Sequence, residues 1–147
     1  MAEPKRFYFD ANSVIAILER SEPLNAHQRA FLLGIADGRL FCCASELTLT
    51  ECIVKPLRVG NITLANEYAR FLDTQLSAPL MQLDRRVLLL AAEIRAGSGT
   101  KLPDAIHVAC ASVSKCTIML SADKALPLPS GMARCSFEDI NSGHLGE

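Results

Sequence analysis

The sequence has no long apolar run. Segments such as Leu88 to Ala92 and Val108 to Val113 are far shorter than the roughly 18 residues that a membrane-spanning helix needs. The first residues, Met1 to Arg6, contain no apolar core of an export signal. We therefore expect a cytoplasmic protein that does not enter a membrane.

Paired cysteines are also missing. The six cysteines include no C-x-x-C pair, and most of them lie in apolar segments, as small buried side chains do. A zinc site needs such paired spacings with histidines nearby. We therefore predict reduced thiols and no zinc site for the cysteines, which are Cys42, Cys43, Cys52, Cys110, Cys116 and Cys135.

Neither sign of charge is in excess, since the net charge is −1 at pH 7. Non-specific nucleic-acid binders usually carry a basic excess, so the total charge gives no support to such a role. If several carboxylates cluster at one site, the remaining surface is more basic than the total suggests. Five basic residues lie close in sequence to candidate acids: Lys55, Arg58, Lys101, Lys115 and Lys124.

The chain contains no internal repeat and no low-complexity stretch. Half of its 147 residues are apolar and 21% are charged, which is typical of a folded domain and argues against disorder. The length suits one domain with a substantial core. We predict a single domain over residues 1–147.

Short apolar segments predict the strands of a sheet. They are Phe7 to Phe9, Phe41 to Ala44, Thr117 to Leu120, and a last short strand near Ala133 to Phe137. Helical patterns separate these segments, so the connections are crossovers and the sheet is mostly parallel. The segment Leu126 to Gly131 is rich in proline and predicts a loop.

The helices are predicted from apolar side chains spaced three and four residues apart and from their caps. Asn12 or Ser13 caps a helix over Val14 to Glu19, and Ser45 caps a helix that carries Glu51 and ends before Pro56. Further helices contain Phe31 to Ile35, Leu64 to Leu72, Leu83 to Ile94, and Ile106 to Val113, the last with Pro103 in its first turn.

Four acids lie where the strands of such a sheet end. Asp10 and Asp123 follow strands, Glu51 lies in the helix after the second strand, and Asp104 lies in the first turn of the helix before the third. Parallel sheets bind ligands at the carboxyl ends of their strands, so these acids can converge there. A cluster of carboxylates persists only with a compensating cation, and oxygen ligands favour Mg²⁺ or Mn²⁺.

Each acid also has an ordinary structural interpretation. Asp10 suits a helix cap, Asp104 suits the positive end of a helix dipole, Glu51 suits a solvated helix face, and Asp123 suits a turn. His107 lies one turn after Asp104, but its apolar neighbours favour a core or edge residue over a catalytic base. Only the joint placement of the four acids favours a metal site.

Four segments resemble the motifs of PIN domains, especially the VapC-type toxin ribonucleases of bacterial toxin–antitoxin pairs. They are Phe7 to Asn12, Ser45 to Glu51, Leu102 to His107 and Leu120 to Lys124, and the resemblance covers the chain from Phe7 to about Phe137. One departure is Leu126, at a position where the family often has an aromatic residue. The resemblance implies a three-layer α/β/α sandwich around a mostly parallel sheet of four to five short strands.

The resemblance also implies a function. It implies an endoribonuclease that uses Mg²⁺ or Mn²⁺ and leaves a 5′-phosphate and a 3′-hydroxyl. Asp10 and Asp104 would hold the metal, Glu51 and Asp123 would complete the catalytic site, and Asn12 and Ser45 would support it. A cognate antitoxin and a homodimer are the implied partners. Leu24 to Ile35 and Leu64 to Leu72 would supply an apolar interface.

Three alternatives stay open at this stage. The first is a housekeeping RNA-processing nuclease, and the second is a non-catalytic module with the same fold. The third is a phosphotransfer domain, which also places aspartates and Mg²⁺ at strand ends. Against the phosphotransfer domain, the chain has no paired acids early in the sequence. Against the non-catalytic module, all four acids are present.

Overall fold

Four short strands, all parallel, form one central sheet in the computed structural model, which describes residues 4–146. The strands are β1 (Arg6–Phe9), β2 (Phe41–Cys43), β3 (Ile118–Leu120) and β4 (Ala133–Cys135). Their order across the sheet is β2-β1-β3-β4. The predicted domain includes residues 1–3 and 147, which lie outside the described residues.

Within residues 4–146, six α-helices connect β1 to β2 and β2 to β3, whereas a loop joins β3 to β4. They are α1 (Ala11–Leu18), α2 (Ala26–Ala36), α3 (Glu46–Arg58), α4 (Ile62–Thr74), α5 (Arg85–Ser98) and α6 (Leu102–Val113). Two short 3₁₀ helices, Phe137–Asp139 and Ser142–Leu145, follow β4. The loop before β4 contains the proline-rich segment, as predicted.

The alternation of side chains along the central strand creates two cores, one on each face of the sheet. In β1, Phe7 and Phe9 pack into the core that contains Phe31 of α2, whereas Tyr8 faces the core built by α5 and α6. A strand points successive side chains to opposite faces, so both faces of this buried sheet must be covered by helices. The predicted three-layer α/β/α architecture is confirmed.

Two predicted helix boundaries are wrong. Helix α1 begins at Ala11, and Asp10 rather than Asn12 or Ser13 is its N-cap. Helix α3 does not stop before Pro56 but continues to Arg58 with Pro56 inside it. Pro56 lies in the last turn, where its missing backbone N–H removes a single hydrogen bond and no further helical turn follows. The Val59 N–H still donates to the Lys55 carbonyl, at 3.1 Å.

All six cysteines are buried and unpaired. Within residues 4–146, no helix is both long enough and apolar enough to cross a bilayer.

The segments expected to supply an apolar interface are mostly core. Phe31, Tyr68 and Leu72 are fully buried within this chain, and only Leu33 is a large exposed apolar residue there. Most of the other large exposed apolar side chains lie around the junction of α3 and α4 and on α5: Val54, Leu57, Val59, Ile62, Leu88 and Leu89. Amphipathic spacing identified the helical face but could not tell whether the chain itself covers it.

A substitution of Phe31 tests the core in which Phe31 packs against Phe7 and Phe9. Its ring lies 4.9 Å from that of Phe7 and contacts Phe9 and Phe137, so Phe31→Ala opens a cavity where three aromatic rings meet. We expect urea unfolding to show a loss of about 3–5 kcal/mol in stability. Leu33→Ala on the same helix is the control, because Leu33 is 63% exposed and should change stability by less than about 0.5 kcal/mol. Equal losses would contradict this assignment of the core.

Candidate active site

Asp10 is held at the carboxyl end of the central strand. Its Oδ1 accepts a hydrogen bond from the Ser13 N–H at 2.9 Å, which caps α1. The Ser13 hydroxyl donates to the Leu120 carbonyl at 2.6 Å, and the Asp10 N–H donates to the same carbonyl at 3.3 Å. The start of α1 is therefore fixed to the end of β3. The cap engages only one of the two carboxylate oxygens, so a cap and a ligand role are compatible.

The charges of two other predicted acids act on Asp104. Burial raises the pKa of Asp104, and the negative charges of Asp123 and Glu51 raise it further, whereas His107 and Lys101 act in the opposite direction. Asp104 is half-buried in the first turn of α6, as the sequence indicated. The charges of Asp123 and Glu51 therefore both repel that of Asp104 at this edge.

Asp123 lies on an exposed turn after β3. Its N–H donates to the Ser121 hydroxyl at 3.0 Å, and its Oδ1 accepts from the Ala125 N–H at 2.9 Å. The turn interpretation of Asp123 is thus correct, and the same turn places the carboxylate where it interacts with Asp104.

The pKa of the Cys52 thiol shows which acids lie near Glu51, the fourth of the predicted acids. Burial raises the pKa of Cys52 to about 12, and the charges of Glu51, Asp10 and Glu19 add to the shift. Glu51 therefore shares one neighbourhood with Asp10 on one side and with Asp104 on the other. The structure brings the four predicted acids to the same edge of the sheet, at the carboxyl ends of the strands.

Glu51 also leads into a buried chain of hydrogen bonds. Its Oε1 lies 2.5 Å from Nε2 of His107, whose Nδ1 lies 2.8 Å from the hydroxyl of Tyr8. That hydroxyl contacts Ser45 Oγ at 2.8 Å and Thr48 Oγ1 at 3.4 Å. Burial raises the pKa of Tyr8 well above its ordinary value, so the hydroxyl stays protonated.

The two predicted supporting residues differ in their placement. Ser45 is the N-cap residue of α3, as predicted, and its buried hydroxyl belongs to the chain around Tyr8. Asn12 is exposed on the first turn of α1 and does not cap it. A supporting role for Asn12 stays a prediction.

Sequence reasoning missed His107, Tyr8 and Thr48 as parts of the site. His107 was interpreted as a core or edge residue, and it is indeed only 3% exposed, but it contacts Glu51 directly. One signal was available, since residues three apart on a helix share a face, and His107 lies three positions after Asp104. Nothing in the local sequence indicates that Tyr8 and Thr48 reach it.

The basic residues near the candidate acids fall into two groups. The positive charge of Lys101 acts on Asp104, and Arg134 donates to the Ser121 carbonyl at 2.8 Å, so both lie near the acidic edge. Lys115 instead lines a cavity of about 660 Å³ with Lys5 and Arg6, at the amino ends of β1 and β3. Lys115 is therefore at the opposite end of the sheet.

The carboxylates fit a hard divalent cation that keeps much of its water. Within residues 4–146, no three Asp, Glu, His or Cys side chains are close enough to form a ready-made metal cage. Mg²⁺ is usually held by one or two carboxylates together with waters and substrate phosphate, so a full cage is not required. Burial is the main cause of the raised pKa of Asp104, and the negative charges of Asp123 and Glu51, which add to it, are of the kind that such a cation offsets.

The model of the PIN domain family matches residues 7–129 of this sequence. The chain belongs to the PIN domain family. A comparison with the sequences of curated proteins found no match.

Solved structures share the fold of this PIN domain. They include a toxin–antitoxin complex from Klebsiella pneumoniae, with 17% identity, 88% of this chain and 96% of that chain covered, and a TM-score of 0.63. FitAcB from Neisseria gonorrhoeae has 19% identity, 90% and 98% coverage and a TM-score of 0.65. VapBC2 from Rickettsia felis, bound to a DNA fragment from their promoter, has 11% identity, 89% and 98% coverage and a TM-score of 0.66. At these identities the similarity shows the fold alone.

Family membership confirms the coarse part of the sequence-based prediction. PIN domains are generally nucleases that depend on a divalent metal. The individual residue roles, the metal ion and the substrate of this PIN domain are proposals and follow below.

Asp104→Asn tests the cost of ionising this partly buried carboxylate beside Asp123 and Glu51. The pKa of Asp104 is raised in the folded state, so its ionised form destabilises the fold, and this cost develops as pH rises from below the unfolded pKa through the folded pKa. In the presence of chelator, the variant should match the wild type near pH 3 and exceed it near pH 7 by roughly 0.2–1 kcal/mol. Urea unfolding at both pH values measures this, and lower stability of the variant at pH 7 would contradict the cost of ionising Asp104.

Proposed function

We propose that this PIN domain is an endoribonuclease that needs Mg²⁺ or Mn²⁺. The observation that carries the proposal is the crowding of Asp104 by Asp123 and Glu51 at the strand ends, beside Asp10 at the start of α1. Crowded carboxylates cost folding energy, and a protein keeps them where function requires a cation. Membership of a family whose members are generally nucleases supports the same chemistry.

Each acid has a proposed role. Asp10 and Asp104 hold the metal, Glu51 binds a second ion directly or through water, and Asp123 orients the attacking water. A bound Mg²⁺ or Mn²⁺ supplies Lewis acidity that activates water and offsets charge on the phosphate. A bond forms from the water oxygen to phosphorus and the bond from phosphorus to the 3′-oxygen breaks, which leaves a 5′-phosphate and a 3′-hydroxyl.

Basic residues at the edge of the site bring RNA to it. Lys101 lies near Asp104 and is exposed, so it is the first candidate for a phosphate contact, and exposed Lys124 follows Asp123 directly. Phosphate contacts of this kind position a nucleic acid but do not read its sequence. The target RNA is accordingly set by surface shape and by contacts to exposed bases.

We propose the toxin of a toxin–antitoxin pair as the biological setting, with a cognate antitoxin and a homodimer as partners. Support comes from the structural similarity to the toxin–antitoxin complex from Klebsiella pneumoniae. A location in the cytoplasm belongs to the same proposal. A housekeeping RNA-processing nuclease or a non-catalytic PIN module is the alternative, whereas the match to the PIN family leaves no support for a phosphotransfer domain.

Cleavage of a mixed RNA substrate tests the activity. Purified protein is incubated with Mg²⁺ or Mn²⁺, with chelator, and as Asp10→Asn. We expect cleavage that needs metal and falls at least about 100-fold in the variant, because one ligand supplies several kcal/mol of charge stabilisation through the metal. Product ends are identified by their reactivity to ligation and to 5′-phosphate-dependent exonuclease.

Asp37→Asn is the matched control. It makes the same chemical change at an exposed residue between α2 and the amino end of β2, away from the carboxyl ends of the strands, where the carboxylate pairs with exposed Arg39. This variant should cleave like the wild type. Cleavage that persists in chelator, or that Asp10→Asn and Asp37→Asn change equally, would contradict the proposed site.

A further inference from the structure

Glu51 is the one proposed site acid whose carboxylate is held by a buried side chain. Its side chain is 36% exposed, whereas the side chain of its partner His107 is 4% exposed. The contact joins Oε1 of Glu51 to Nε2 of His107 at 2.5 Å. Glu51 thus lies at the border between solvent and core, with its orientation set from the core side.

The direction of this hydrogen bond follows from the chemistry of the pair. An ionised carboxylate has only acceptors, so the ring nitrogen that faces it must carry a hydrogen. Nε2 of His107 therefore donates to Glu51, whichever way the Tyr8 hydroxyl shares its hydrogen with Nδ1. The ring orientation is fixed by partners on both nitrogens, as happens for histidines that support metal sites.

The same network of hydrogen bonds extends from His107 to β1, the strand that ends just before Asp10. The Tyr8 hydroxyl is held by Ser45 at 2.8 Å, and Thr48, which also contacts it, donates to the Phe9 carbonyl at 3.1 Å. Phe9 directly precedes Asp10. All members of this hydrogen-bonded network except Glu51 are buried, so His107 has a fixed place, and the Glu51 carboxylate can move relative to β1 only by breaking its partly buried bond to His107.

We propose that His107 is a positioning residue that holds the Glu51 carboxylate through Nε2–H and thereby keeps it at a fixed place relative to Asp10. This inference rests on the proposed metal-dependent nuclease function. His107 does not touch the substrate or the reacting atoms. Its contribution is that the Glu51 side chain is already held in one orientation before the metal and the RNA bind.

Two replacements of His107 separate this role from a general role in the core. An asparagine amide reaches only the position of Nδ1, so His107→Asn keeps a partner for Tyr8 and loses the donor to Glu51. A glutamine amide extends to the position of Nε2, so His107→Gln retains that donor. Both are uncharged polar side chains, and circular dichroism and thermal unfolding first establish that each variant is folded.

The measurement is Mn²⁺ affinity of the protein without RNA, followed by the kinetics of RNA cleavage. We expect His107→Asn to weaken Mn²⁺ binding by about 10-fold or more and to lower kcat with little change in KM. His107→Gln should remain within about threefold of the wild type in both. If His107→Asn does not fold, Tyr8→Phe removes the hydroxyl that holds the ring and should weaken Mn²⁺ binding in the same direction.

The outcomes distinguish this inference from the function on which it rests. Equal effects of the asparagine and glutamine variants, or no effect of either on Mn²⁺ affinity, would overturn the positioning role while Asp10→Asn still abolishes cleavage. If Asp10→Asn also retains Mn²⁺ binding and cleavage, the proposed metal site itself is wrong, and the role of His107 is overturned with it.

Discussion

The repulsion between carboxylates at one edge of a parallel sheet is the constraint on which the rest of this structure depends. Asp104 meets the charges of Asp123 and Glu51, and Asp10 lies beside them at the end of the central strand. Such an arrangement is unfavourable for folding by itself. The two aromatic and aliphatic cores and the hydrogen bonds that fix α1 to β3 hold it in place.

The acids have local structural duties as well as a proposed chemical one. Asp10 caps α1, Asp104 lies at the positive end of α6, and Asp123 stabilises its own turn. The hydrogen bonds of Asp10 and Asp123 each engage one carboxylate oxygen and restrict its motion, which suits a ligand that must be in place before the metal arrives. Structural and functional interpretations of these residues are therefore compatible, although from the sequence alone they were alternatives.

Local signals made much of the fold and of the site predictable. An aromatic run that ends in Asp10, a proline ahead of Asp104, and glycines and prolines between the segments fix the order of strands and helices, and parallel connections then place the acids together. The network behind Glu51 was not predictable, because its contacts join residues 56 and 99 positions apart. The end of α3 was missed because proline usually ends a helix, whereas α3 continues for two residues after Pro56.

Calorimetric titration with Mn²⁺ tests the central claim most directly, because it asks about the acidic edge without any assumption about the RNA. The wild type and the double variant Asp10→Asn/Asp104→Asn are compared at the same pH after treatment with chelator and its removal. The account predicts saturable binding to the wild type that the double variant loses. Equal binding to both proteins, or none to the folded wild type, would contradict a metal site at these strand ends.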